Sequence, residues 1–304
     1  MFSLSKQTVF GVVGGDRRQA AAAVRLAEMG YPVRAFFLDG IPSLESSGLL
    51  CSDSSLLGQC DVVILPMPVS RDGEQLNAPF DSRAVSLADC LSQCREDALL
   101  FGGKVSPKDQ QLAQRFRLNL RDYLLQEELA ILNAVPTAEG AVQLALEESD
   151  HTLWESRCLV CGFGRCGKTL ALLLKGFGAQ VTIAARKQSD LALARTLGFS
   201  AVPIGCIKQF LPHQQIILNT VPAPILGPSE LTYCPPDCLI LDLASLPGGV
   251  DLPAAEQLGI RALRALALPG KVAPVTAGHI ILDTVINMIE ADSPSDCAET
   301  ESMR

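Results

Sequence analysis

Short runs of consecutive apolar residues alternate along the chain with longer stretches in which apolar residues recur every third or fourth position. The runs predict strands buried on both faces, and the periodic stretches predict the helices that cover them, so the chain reads as α/β with parallel sheets. In the N-terminal part, strands are expected at Thr8–Val13, Val33–Leu38, Asp61–Leu65 and Ala98–Phe101. Gly14-Gly15-Asp16 is the turn after the first strand, and Arg17–Met29 is the helix that follows, with Gly30 as its stop. Gly102-Gly103-Lys104 is the loop behind the fourth strand.

The alternation restarts after a long helix expected over Asn133–Ser149. Strands are expected at Arg157–Cys161, Gln180–Ala185, Ala201–Ile204, Gln215–Asn219, Leu239–Leu243 and Arg261–Leu266, with Arg165–Phe177 as the first helix of this part. Val275–Glu290 reads as a final amphipathic helix and Ala291–Arg304 as a frayed polar tail. The domains expected are 1–135, completed by the helix 275–290, and 150–270. The segment 136–149 is a helix between them and 291–304 a flexible end. At roughly 150 residues per domain, 304 residues suit this division.

Charge and cysteine content narrow the function. The chain carries 25 Lys and Arg against 33 Asp and Glu, a net charge of −8, which argues against nucleic acid as a partner. No apolar run approaches the roughly 18 residues of a membrane span, and the first ten residues lack a signal-peptide core, so no membrane partner and a cytoplasmic location are expected. The 11 cysteines then read as small buried hydrophobes in a reducing compartment. Cys158 and Cys161 have metal-ligand spacing, but on a strand they face opposite sides of the sheet, and no metal is expected.

The most informative segment is Gly162-Phe163-Gly164-Arg165-Cys166-Gly167, a G-x-G-x-x-G that follows a predicted strand and opens a predicted helix. Gly162 permits a tight turn, Gly164 lets the backbone approach a pyrophosphate, and Gly167 lets helix and strand pack closely. The helix N-terminus then faces the phosphates. At the end of the next strand an acidic residue would hold a ribose 2′-hydroxyl, but the chain has Arg186 and Lys187, which suit a 2′-phosphate. The cofactor expected is therefore NADP, with NAD the alternative. Asn219-Thr220-Val221-Pro222, behind another strand, is expected beside the nicotinamide ribose. Near the N-terminus, Gly14–Gln19 offers a helix start and two arginines suited to a carboxylate, or simply an Asp16 cap with solvated arginines.

These segments, together with Pro136-Thr137-Ala138-Glu139-Gly140, Asp242–Gly249, Ala267–Pro274 and Thr276-Ala277-Gly278, occur in an order that resembles the dipicolinate synthase A-subunit family over nearly the whole chain. The resemblance implies two Rossmann-like domains with an active-site cleft between them, as in alanine dehydrogenase and adenosylhomocysteinase. It implies a nicotinamide-dependent enzyme of spore formation, in the mother cell. The family makes dipicolinate from the lysine-pathway intermediate 4-hydroxy-tetrahydrodipicolinate, or dihydrodipicolinate, together with a flavoprotein-like B-subunit of dipicolinate synthase. A homo-oligomer is also expected.

A small ring with two carboxylates needs cations or helix N-termini on two sides. Gly15, Arg17, Thr137, Ser245, Lys271 and Thr276 are the candidate substrate contacts, with Lys104 a further cation. His279, Lys104 and Asp16 are the candidate acid–base groups, and nothing in the sequence chooses among them. Two other readings stay open: a related dehydrogenase of a different small acid, and a nucleotide-binding regulatory protein whose partner does the chemistry.

Overall fold

The computed structural model describes residues 2–292. The chain folds into two compact units, one taking the chain up to Leu132 and again from Pro274, the other Asn133–Ala273. From residue 293 on, the tail expected to be flexible lies outside the described residues.

The first unit holds β1 (Phe10–Val13), β2 (Val33–Phe36), β3 (Val62–Ile64), β4 (Leu99–Gly102) and β5 (Leu120–Asp122). They form one parallel sheet in the order β2-β1-β3-β4-β5, with Phe10 registered between Val33 and Val62. Side chains alternate across it. Phe10 and Val12 pack into the core under helix α1 (Arg17–Glu28), while Val13 joins the core on the other face, where helix α2 (Pro107–Arg115) adds Ala113.

The second unit opens with helix α3 (Ala134–Glu148), followed by β6 (Arg157–Cys161), α4 (Arg165–Gly176), β7 (Gln180–Ala185), α5 (Gln188–Thr196), β8 (Ser200–Pro203), β9 (Ile216–Asn219), β10 (Leu239–Asp242), β11 (Arg261–Arg264) and the short helix α6 (Leu268–Val272). Its six strands are parallel, in the order β11-β10-β9-β6-β7-β8. This is the doubly wound Rossmann order, with its reversal between β6 and β9. Cys158 and Val160 enter one core and Leu159 and Cys161 the other, so the two cysteines do point to opposite faces. Among the described residues no cluster of His, Cys, Asp and Glu could hold a metal ion.

The chain returns to the first unit as helix α7 (Pro274–Ala291). Leu282, Val285 and Ile289 bury against the alanine-rich face of α1, each side chain contributing about 1.5–3 kcal/mol. Gly278 sits at the closest point: a Cβ there would lie 2.2 Å from the Arg18 carbonyl oxygen. The two helices start side by side.

The α/β class expected from the alternation is what the structure has. Three differences have physical causes. Strand β5, Leu-Arg-Asp, contains a single apolar residue and pairs only with β4 at the sheet edge, so no apolar run announces it. Helix α2 is mostly polar and starts on the Ser106 cap with Pro107 in its first turn. One helical stretch, Glu127–Glu148, is long and apolar enough to cross a membrane by length and composition, although glutamates interrupt it and leave no unbroken apolar run in the sequence. In the structure Ala138, Ala141 and Ala145 of this stretch belong to the second unit's core.

Candidate functional site

In each sheet the strand order reverses beside the first strand of its unit, and in such sheets ligands bind outside the carboxyl ends of the strands at that reversal.

In the second unit the reversal lies between β6 and β9. Gly162 turns the chain with φ +97°, and a Cβ on it would lie 2.4 Å from Thr220 Oγ1. A Cβ on Gly167 would lie 2.2 Å from the Gly162 carbonyl oxygen. Between them, Gly164 begins α4 with no heavy atom near its absent Cβ. Turn, close packing and open approach therefore fall on the three glycines as a dinucleotide pyrophosphate requires. No side chain caps the start of α4, which leaves its backbone N–H groups facing outward. Thr220 Oγ1 donates to the Cys161 carbonyl at 2.8 Å, tying the β9 loop to the glycine turn. These features fit a dinucleotide.

Phe163 is buried and its ring stacks edge-on against Phe199, so only its backbone is available at the turn. Arg165 is exposed at the helix start, and Cys166 is half-buried with its thiol pushed up by burial. Arg186 and Lys187 stand exposed immediately beyond β7, the strand next to β6, and the side chain of neither makes a hydrogen bond or ion pair among the described residues.

The loops behind β9 and β10 are held by a buried polar knot. Asn219 and Asp242, both fully buried, end adjacent strands. Asn219 Nδ2 donates to Asp242 Oδ1 at 2.8 Å and to the Val221 carbonyl at 3.0 Å, while Val221 N donates back to Asn219 Oδ1 at 3.1 Å. Asp242 Oδ2 accepts from Gly249 N at 3.0 Å and faces Arg264 at 3.7 Å. This knot fixes Thr220, Val221 and Pro222, and it also fixes Ser245, which lies exposed in the turn behind β10. Asp242 and Arg264 were not among the sequence candidates; an acid ending a buried strand and an arginine ending the edge strand beside it were the available signal. Thr137 spends its hydroxyl on the Asn133 carbonyl within α3, and Lys271 is exposed on α6, which packs on α3 at Gly140.

In the first unit the reversal lies between β1 and β3. Gly14 and Gly15 have φ +57° and +86°, and Gly15 N donates to the Asn77 carbonyl at 2.7 Å. Asp16 caps α1, with Gln19 reaching back to its backbone N–H. Arg17 is exposed, whereas Arg18, which was not a sequence candidate, turns inward onto Asp16. The loops behind β3 and β4 join at the same end: Gly103 N donates to the Pro66 carbonyl, and a Cβ on Gly103 would lie 2.7 Å from Met67 Cβ. Lys104 follows, exposed, with φ +53° held by Asp122 Oδ1 accepting from its N–H at 3.1 Å.

Thr276 is exposed in the first turn of α7, whose Gly278 backs Arg18. Gly15, Asp16, Arg17, Lys104 and Thr276 thus gather at the carboxyl end of the first sheet. His279 does not join them. It is half-buried along α1, where burial first and Arg25 second hold its pKa below the usual histidine value, against Asp283 and Glu28.

The comparisons agree with one another. The family described as the N-terminal domain of the dipicolinate synthase A-subunit matches residues 9–124. The dipicolinate synthase A-subunit of Bacillus subtilis (strain 168) is 32% identical over 280 residues, covering 91% of this chain and 94% of that protein. The crystal structure of the dipicolinate synthase A chain from Bacillus subtilis superposes with a TM-score of 0.83 at 31% identity, over 95% of this chain and 99% of that one. A transhydrogenase from Sinorhizobium meliloti has a TM-score of 0.69 at 16% identity, over 93% of each chain, a likeness of fold alone. The chain belongs to the dipicolinate synthase A-subunit family.

Proposed function

We propose that this chain is an NADP-dependent dehydrogenase that oxidises 4-hydroxy-tetrahydrodipicolinate, or dihydrodipicolinate, to dipicolinate during spore formation, working with the B-subunit of dipicolinate synthase. The observation that carries the reading is the glycine cradle at the β6–β9 reversal, in a chain 32% identical to a dipicolinate synthase A-subunit. Gly162, Gly164 and Gly167 with the start of α4 receive the pyrophosphate, and Arg186 and Lys187 receive the 2′-phosphate. Asn219–Pro222, set by Asp242, faces the nicotinamide ribose. When bound, the nicotinamide supplies the two-electron acceptor.

Conversion of the hydroxylated ring to dipicolinate loses one water and two hydrogens, the latter as hydride and proton. The aromatic ring formed makes the oxidation favourable, so the chain's task is mostly to bind and orient. Carboxylates of the substrate are held by the cations and helix starts at the carboxyl end of the first sheet, with Gly15, Lys104 and Thr276 among them. The ring proton is left to solvent, since Asp16 is occupied by Arg18, His279 faces α1, and Lys104 stands exposed and serves as a cation.

Nicotinamide fluorescence titrations of the purified chain test the cofactor assignment. NADPH is expected to bind at least about tenfold more tightly than NADH, and Arg186→Asp to lose about that factor for NADPH alone. Equal affinities in the wild type, or an unchanged preference in Arg186→Asp, contradict the assignment.

A further inference from the structure

We propose that Arg18, not its exposed neighbour Arg17, grips a carboxylate of the substrate, and that Asp16 is the residue that positions it. The inference rests on the reading of the substrate as a ring dicarboxylate and assigns the residue that recognises it.

Arg18 is only 6% exposed, although it lies in the first turn of a helix at the carboxyl end of a sheet. Its guanidinium is clamped in a planar fork: Nε donates to Asp16 Oδ1 at 2.9 Å and Nη2 to Asp16 Oδ2 at 2.8 Å. Nη2 also donates to the Met67 carbonyl at 3.3 Å, in the loop behind β3. Nη1 donates to nothing among the described residues, and it is not among the polar atoms sealed from solvent without a partner. The group is therefore fixed through two of its nitrogens, and the third is not sealed from solvent and keeps its two N–H donors without a partner among the described residues. A buried, oriented arginine with one open edge is arranged to meet a planar anion, with little side-chain freedom left to lose.

The surroundings support the same assignment. Gly278 of α7 lies against the Arg18 carbonyl, so the backbone behind the side chain has no room to shift. Lys104, beside the Gly103–Met67 contact, holds a left-handed backbone that lysine rarely adopts, and its ammonium makes no ion pair among the described residues. Asp16 neutralises Arg18, so Lys104 supplies the net positive charge and Arg18 the directed hydrogen bonds. Arg17, by contrast, is exposed and has no side-chain partner among the described residues to fix its direction. The carboxylate of Asp16 already accepts from Nε, Nη2 and the backbone N–H of Arg18, which suits it to positioning and not to proton transfer.

The test is calorimetric titration of the purified chain with dipicolinate as the probe, alongside thermal melts and circular dichroism to show that each variant is folded and NADPH titration to show that the second unit is intact. Arg18→Gln is expected to weaken dipicolinate at least about tenfold, and Arg18→Lys nearly as much because lysine lacks the planar fork. Arg17→Gln is expected to lose clearly less than Arg18→Gln. Asp16→Asn keeps a helix cap and is expected to raise KM for the ring substrate several-fold with kcat within about twofold. Equal losses at Arg17 and Arg18, or wild-type affinity in Arg18→Gln, overturn the assignment while leaving the dicarboxylate reading intact. A collapse of kcat at constant KM in Asp16→Asn assigns that residue to proton transfer and overturns its positioning role. A wild-type chain that binds NADPH but no dicarboxylate overturns the reading of the substrate itself, and this inference with it.

Discussion

At the scale of single residues, the three glycines of the second unit have separable roles, and the separation is measurable. A methyl group on Gly167 would collide with the Gly162 carbonyl, so that position serves the fold. A methyl group on Gly164 meets no protein atom, and φ −78° suits any residue. Gly164→Ala is therefore expected to leave the melting temperature within about one degree while NADPH affinity falls by about tenfold or more, since only a bound pyrophosphate needs that space. A variant that melts earlier but binds NADPH normally contradicts this division. The glycines were legible in the sequence because a G-x-G-x-x-G spacing between an apolar run and a helix is a purely local signal. Arg18 was not, because two adjacent arginines after Asp16 look alike until the helix phase turns one outward and one inward. The Asn219–Asp242 pair was half legible: each residue ends an apolar run, but that the two strands are neighbours is a fact of topology. Lys104 was legible as a cation behind a strand, but the sequence did not show that it stands exposed on a left-handed backbone.

Among the elements, α1 and α7 carry a prediction of their own. Their interface buries alanine and leucine faces around Gly278 and leaves His279 half-buried near Arg25, with Glu28 and Asp283 opposing. Burial and Arg25 lower the histidine's folded pKa below its ordinary 6.5. Between those two values the unfolded chain binds more protons than the folded one, so stability rises with pH across that window. The contribution is fully present above 6.5 and is lost as pH falls through the folded value. In thermal melts followed from neutral to mildly acidic pH, the wild type should therefore lose stability relative to His279→Gln as pH drops. Parallel melting curves for the two proteins would sink this account of His279. The same pair of helices shows where element prediction succeeds: α1 and α7 are strongly periodic, and both were expected. Strand β5 is three residues long with a single apolar one and is defined by its neighbour, so the sequence carried no pattern for it, whereas helix α2 is mostly polar and shows only a narrow apolar face around Ala113.

On the scale of the whole molecule, two parallel sheets each end in a prepared rim, one with a backbone cradle suited to phosphates and one with an oriented guanidinium. The acidic net charge of −8 makes these local cations the means by which the chain can hold anionic ligands at all. Membership of the dipicolinate synthase A-subunit family is the ground of the proposed reaction, in which NADP oxidises a ring dicarboxylate. The measurement that bears on this most directly is turnover of freshly generated 4-hydroxy-tetrahydrodipicolinate by the purified chain, with NADP and NAD in parallel. It would be run with and without the B-subunit, with reduced nicotinamide and dipicolinate both quantified. The account predicts that reduced NADP and dipicolinate appear together in equal amounts, with NAD the poorer acceptor. A chain that binds NADPH yet yields neither product in either mixture would contradict it.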